Sequence, residues 1–219
     1  MATKAAAKKD LRKNIISAYM EFVLENETRP RSVFKFCKLN NIKEEDFYKH
    51  FGSIEGLEKE VWQQFYHQTS SLLEKNEAYE SYSSRDKMLS FFFTFFELLT
   101  LNRSYALFAL GSHKNTLSSL EQLSVLRRSY KDFVNLLISE DNAEKNLKIT
   151  KYNPKLLSEA AWLQFLFLLK FWIDDSSAGF EKTDLAIEKS VNTIFDVFDN
   201  TPLERIVDLG KFLFKERFA

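Results

Sequence analysis

Cysteine, proline and glycine are all scarce in this chain. Of 219 residues, one is cysteine, three are proline and five are glycine. The single thiol, Cys37, excludes a disulfide framework or a cysteine-rich zinc or iron–sulfur centre within one chain. So few turn-formers disfavour loop-rich, collagen-like and many-stranded folds and suit long helices. Net charge is absent too. The 31 Lys and Arg balance the 31 Asp and Glu, so no overall basic excess marks a nucleic-acid binder. A basic patch on one face needs no such excess. The opening residues, MATKAAAKKDLRK, lack the apolar stretch of a secretory signal. The longest apolar region, residues 156–173, is interrupted by Glu159, Gln164 and Lys170 and reads as a buried helix rather than a membrane span. The expectation is a soluble, cytoplasmic protein.

Catalytic signatures are missing as well. His50, His67 and His113 have no metal-ligand spacing, no glycine-rich phosphate loop occurs, and Cys37 has no evident base partner. No enzyme activity, metal or cofactor is expected. What the chain has in abundance is phenylalanine. There are 22, and aromatics make up 15% of the residues. Such side chains belong in a core, an interface or a ligand cavity.

The pattern is helical throughout, and no strand is expected. Residues 1–9 read as a small, basic, mobile arm. Leu11, Ile15, Tyr19, Phe22 and Val23 keep a period near 3.6 over residues 10–25. Short helices follow over 32–39, with Val33, Phe36 and Cys37 on one face, and over 43–51, with Phe47, Tyr48 and Phe51 as inward candidates. Asn40-Asn41 between them is a tight turn, because Asn tolerates left-handed backbone angles. Ser53 caps a long helix over 54–75, whose buried side carries Leu57, Val61, Phe65 and Leu72. Ser83 and Asp86 form an N-cap pair for a helix over 85–101. Further helices are expected over 104–111, 115–139, 154–174, 182–198 and 203–217, with a polar loop over 139–152.

The informative stretch is residues 11–66. A long helix, a short helix, a tight turn and a second short helix are the order of a helix-turn-helix, with residues 43–51 as the recognition helix. Tyr48-Lys49-His50-Phe51 follow Phe47, and Ser53, Glu55 and Leu57 open the next helix; Ile42 closes the turn. In these residues the chain resembles the TetR family of bacterial transcriptional regulators. The resemblance implies an all-α fold, with a head over residues 1–53 and a helical ligand-binding and dimerisation domain over 54–219. It further implies a homodimer on a palindromic double-stranded DNA operator, released or engaged by a small, often apolar, molecule. Lys8, Lys9, Arg12, Arg31, Lys43 and Lys49 are candidate phosphate contacts, with Tyr48 carried over from the family motif and His50 beside it. Glu44 is a candidate acceptor for a cytosine amino group. Phe92, Phe96, Phe108, Tyr130, Phe133, Trp162 and Phe165 are candidates to line an apolar cavity, and each of them also suits a solid core.

The sequence departs from the family where DNA would be met. Asn40-Asn41 stands for the usual alanine–glycine turn, and Lys43 for the usual serine or threonine cap. Glu44, Glu45 and Asp46 suit the positive end of a helix and oppose a polyanion. A second reading therefore stands beside the first: a TetR-fold protein that no longer reads DNA and binds a lipid or other apolar small molecule.

Overall fold

The computed structural model describes residues 2–111, 120–144 and 154–200, with the backbone alone for 2–10, 144 and 198–200. The helix expected over 203–217 lies outside them, as do His113 and the start of the helix expected over 115–139. The described elements are α1 Ala2–Asn26, α2 Val33–Leu39, α3 Glu44–Tyr48, α4 Ile54–Leu73, α5 Ser84–Leu101, α6 Arg103–Gly111, α7 Ser124–Glu144, α8 Pro154–Asp174 and α9 Glu181–Asn200. Single 3-10 turns lie at Tyr79–Ser81 and Ala178–Phe180. No strand occurs among the described residues.

Local chemistry sets three of the helix starts. Ser32 Oγ accepts from the Lys35 N–H at 3.2 Å, and Ser53 Oγ accepts from the Gly56 N–H at 3.1 Å. Ser83 Oγ accepts from the Asp86 N–H at 3.2 Å and donates to the Asp86 carboxylate at 2.6 Å. Each arrangement gives an orphan helix donor a partner. At the α2–α3 turn, Asn41 takes φ 54° and the Ile42 N–H reaches back to the Cys37 carbonyl at 2.9 Å.

Three boundaries differ from the sequence expectation. α1 begins at Ala2 rather than near residue 10, since Ala and Lys are strong helix formers. α3 spans only Glu44–Tyr48: Lys43 is its N-cap, without a side-chain hydrogen bond, and the chain turns out of the helix after Tyr48, where the His50 N–H bonds the Phe47 carbonyl at 2.9 Å. α7 begins at Ser124 and runs on to Glu144, through the start of the segment read as a loop. Two carboxylates on that last stretch find partners on α5: Glu140 accepts from Lys87 at 2.9 Å, and Asp141 accepts from Ser84 at 2.6 Å. Two inward assignments also change. Tyr48 is 53% exposed and Leu72 is 46% exposed.

Two compact units hold these helices: residues 1–71 with 95–130, and residues 72–94 with 131–219. The core of the first is built on Ile15, Tyr19 and Val23 of α1, Phe36 and Cys37 of α2, Phe47 of α3, and Leu57, Val61 and Trp62 of α4, all buried. Edge-on ring contacts join Tyr19 to Phe36 at 6.0 Å and Phe36 to Phe47 at 6.1 Å, a geometry that suits aromatic quadrupoles. In the second unit α8 packs on α9. Phe92 of α5 and Leu157, Trp162, Phe165, Leu168 and Trp172 of α8 are buried there. Among the described residues α8 alone is long and apolar enough to cross a membrane, and half of it is buried within the fold. Asp175 closes the turn after α8. Its carboxylate accepts from the Ser177 N–H and hydroxyl at 2.8 and 2.7 Å, and from the Thr183 N–H and hydroxyl at 2.9 and 2.7 Å.

Candidate nucleic-acid interface

α2, the Asn40-Asn41 turn and α3 form the helix-turn-helix arrangement, with Phe36, Cys37 and Phe47 turned inward. Phe47 is the buried residue of α3, while Glu45, Tyr48 and Lys49 are exposed and Glu44 and Asp46 half-buried. Lys49 is not at liberty. Its Nζ lies 2.8 Å from Asp46 Oδ1 and 3.3 Å from Glu45 Oε1. The hydrogen bond from Lys49 holds the Asp46 carboxyl below the usual carboxylate range, and Asp46 and then Glu45 hold the Lys49 ammonium above its ordinary value. The Tyr48 phenol is shifted up by partial desolvation and then by the Glu44 carboxylate beside it.

The other candidates divide into held and unheld groups. Arg12 pairs with Glu60 of α4, and its guanidinium lies 5.9 Å from the centre of the Phe51 ring. Arg31, Lys35 and Lys43 are exposed and make no ion pair among the described residues. Lys38 stands 6.0 Å over the Phe34 ring, and that ring is itself 58% exposed. His50 is half-buried. Lys8 and Lys9 lie on the N-terminal part of α1.

Sequence reasoning missed the partner of Arg29. That guanidinium donates to Glu58 of α4 through Nε at 2.6 Å and through Nη2 at 2.5 Å, and the Tyr19 hydroxyl donates to the same carboxylate at 2.5 Å. Glu58 is 5% exposed. Read along the sequence, Glu58 is one more charge on a helix; only its burial marks it.

The aromatic candidates fall into two groups. Phe92, Phe133, Trp162 and Phe165 belong to the second unit. Trp162 and Phe165 stack at 5.0 Å, Phe92 lies 6.3 Å from Phe165, and Phe133 stacks on Phe91 at 5.0 Å. Phe96, Phe108 and Tyr130 belong to the first unit. Phe96 and Tyr130 are buried there and Phe108 is half-buried; burial pushes the Tyr130 phenol far up. None of the seven lines the apolar cavity of the second unit. That space, about 60 Å³, is walled by residues including Met88, Val134, Leu137, Leu157 and Phe195, with Asp141 and Gln164 as its polar members. A larger open groove of about 540 Å³ runs between α8 and α9 past Leu163 and Phe167, which are 66% and 55% exposed.

The described residues form an all-α fold, with two short helices between α1 and α4. Residues 87–213 match the family model described as Tetracyclin repressor-like, C-terminal domain. The match covers more than half of the chain, and the chain belongs to that family. Among solved structures it is similar to a putative TetR-family transcriptional regulator from Syntrophomonas wolfei. The identity is 13% and the TM-score 0.66, over 85% of this chain and 95% of the other. It is also similar to the fatty acid degradation regulator FadR from Bacillus halodurans, at 15% identity and TM-score 0.57, over 81% of this chain and 92% of the other. At these identities the likeness is one of fold. No curated protein sequence matches the chain. Among the described residues no group of three or more His, Cys, Asp or Glu is placed to hold a metal.

Proposed function

We propose that the chain is a cytoplasmic, ligand-responsive transcriptional regulator that binds a palindromic operator as a homodimer, with residues 1–53 as the reading head and 54–219 as the effector and dimerisation domain. The observation that carries this reading is the α2–turn–α3 arrangement. Its outer side presents Tyr48, Arg31 and Lys43 to solvent while Phe36 and Phe47 anchor it from beneath. Exposed cations beside an outward-facing helix supply the phosphate contacts that position such a head, and base edges then specify the site. The exposed apolar strip of Leu163 and Phe167 supports pairing through α8 and α9. The apolar cavity near Phe195, about 60 Å³, falls short of the roughly 300–1,000 Å³ of ligand pockets, so an apolar effector enters there only if the surrounding helices part. A population shift links the two activities: an effector that prefers one arrangement of the helices changes the geometry of the heads.

The pairing of Lys49 with Asp46 and Glu45 favours a second reading, in which the head meets no operator and the protein holds a lipid or other apolar molecule. One experiment separates the two. Fragments of genomic DNA, including the region upstream of this gene, are selected on the purified protein, and the best fragment is titrated with salt. Tight, selective binding with a steep salt slope establishes the regulator. Weak, unselective binding, both alone and with a long-chain fatty acid added, overturns the regulator reading and leaves the carrier reading, which direct binding of the fatty acid then tests. A long-chain fatty acid is the first probe because the structurally similar FadR is a fatty acid degradation regulator.

A further inference from the structure

α1 and α4 leave an open trough of about 650 Å³ between them, within the first unit. Its α1 wall steps by three and four residues from Lys13 to Glu25, which makes it about 18 Å long at the rise of a helix. Its α4 wall takes the same steps from Val61 to Gln68. The floor is apolar. Ile16, Val61 and Phe65 close it from beneath and are buried. Met20 is half-buried and Leu24, one turn further along α1, is 42% exposed. Two parallel ridges of apolar side chains with an open groove between them are the surface against which a third helix packs its own i, i+4 and i+7 residues. Met20 is suited to such a surface, because its unbranched side chain adapts to what it meets.

The rim is polar, and its charge is one-sided. Glu21 and Glu25 stand one turn apart on α1, exposed, and make no ion pair among the described residues. Like charges at that spacing repel. Gln64 and Gln68 on the α4 rim are neutral and give those carboxylates no counter-charge. Lys13 stands at the other end of the trough, about three turns from Glu25. A small molecule is held with most of its surface covered. A trough whose Leu24, Glu21 and Glu25 stand in solvent covers one side of its occupant only.

We propose that this trough receives an amphipathic helix of a partner protein, about three turns long, with an apolar stripe over Met20 and Leu24 and basic side chains over Glu21 and Glu25. Cations there answer the two carboxylates and relieve their repulsion. The end of the helix over Lys13 carries no basic residue. The site goes beyond the regulator reading. No residue of α2 or α3 lines it, and its test uses no DNA, so either can fail without the other.

The test selects displayed helical peptides about four turns long on the full chain. Leucine is fixed at the i, i+4 and i+7 positions, and the flanking positions are randomised. Lysine and arginine are enriched at the flanking positions of one end. The best peptide slows amide hydrogen exchange over residues 16–25 and 61–68. Glu21→Lys with Glu25→Lys weakens that peptide by at least about tenfold, and selection repeated on this variant enriches aspartate and glutamate in the same places. Both glutamates are exposed, so the variant keeps its helix content by circular dichroism. Leu24→Ser, which alters no charge, weakens the peptide by about tenfold through the lost apolar contact. No enrichment, enrichment indifferent to the charge reversal, or protection elsewhere on the chain overturns the proposal. Protection of the same amides by dodecyltrimethylammonium below its micellar concentration, with no peptide enriched, assigns the trough to a small cation instead. An oligomer of the native chain that is lost on the charge reversal assigns it to a second copy. Each of those two results overturns the partner-helix reading.

Discussion

Lys49 rests on the carboxylate of Asp46, 2.8 Å away and one turn back along α3. One of the candidate phosphate contacts is thereby engaged by its own helix. Exposed pairs of this kind are weak, and a polyanion competes with them well. In the regulator reading, the pair therefore attenuates DNA contact rather than abolishing it. Replacing Asp46→Asn and Glu45→Gln together frees Lys49 and removes two charges that repel phosphate. Affinity for duplex DNA rises, and the slope of log K against log salt steepens by about one for the freed contact. Fluorescence anisotropy across a salt series measures both, and an unchanged slope means that Lys49 does not reach the backbone.

Glu58 is the buried anchor between the head and α4, so its loss falls on stability. Glu58→Gln leaves the Arg29 guanidinium with only the exposed Glu55, 3.6 Å away, as counter-charge and the Tyr19 hydroxyl with a poorer acceptor. The expected cost is about 2–4 kcal/mol, since removing one partner of a buried pair strands the other. Urea unfolding followed by circular dichroism reads it as a lower midpoint. A loss below about 0.5 kcal/mol would mean that the pair behaves as a surface contact.

Acid sensitivity is built into the turn after α8. Ser177 and Thr183 donate to the Asp175 carboxylate and hold it well below the ordinary carboxylate range. A depressed native value contributes stability that is fully present above the unfolded value, near pH 4, and is lost as pH falls through the native one. Asp175→Asn removes that dependence. The variant has a lower Tm at pH 7 by a few degrees, and the gap to the native protein narrows toward pH 3. Thermal melts at several pH values check this, and a constant gap refutes it.

Leu163 and Phe167 stand exposed on adjacent turns of α8 and face no described residue that covers them. If two copies pair there, Leu163→Glu with Phe167→Glu yields a monomer of unchanged helix content. Sedimentation equilibrium decides the point. Two exposed apolar side chains carry little of the fold, so a variant that unfolds instead would place them in the intramolecular core.

Much of the architecture can be read directly along the chain, and the reason is local. Ser53, the Ser83–Asp86 pair and Asn41 act on backbone within a few residues of themselves, so their chemistry is visible in sequence. The Tyr48–Phe51 motif is equally local and points to the family. Long-range pairings leave no such trace. Arg29 and Glu58 are 29 residues apart, and each looks like an ordinary solvated charge until the fold buries the carboxylate. α7 outruns its expected end for the same reason, because the partners of Glu140 and Asp141 lie on α5. The cavity near Phe195 escaped notice because its walls obey the same helical spacing as solid core. Aromatic content alone drew attention to residues that fill space instead.

The lone thiol, scarce in the sequence and buried beneath α2, gives the head a reporter of its own. Cys37 is 2% exposed, and burial first and Glu44 second push its thiol up, so it is slow to react while the head is closed. A maleimide dye can reach it only when α2 lifts from α1 and α3. With no second cysteine to blur the signal, the labelling rate times the opening of the head alone, with or without DNA and with or without an effector, on unmutated protein.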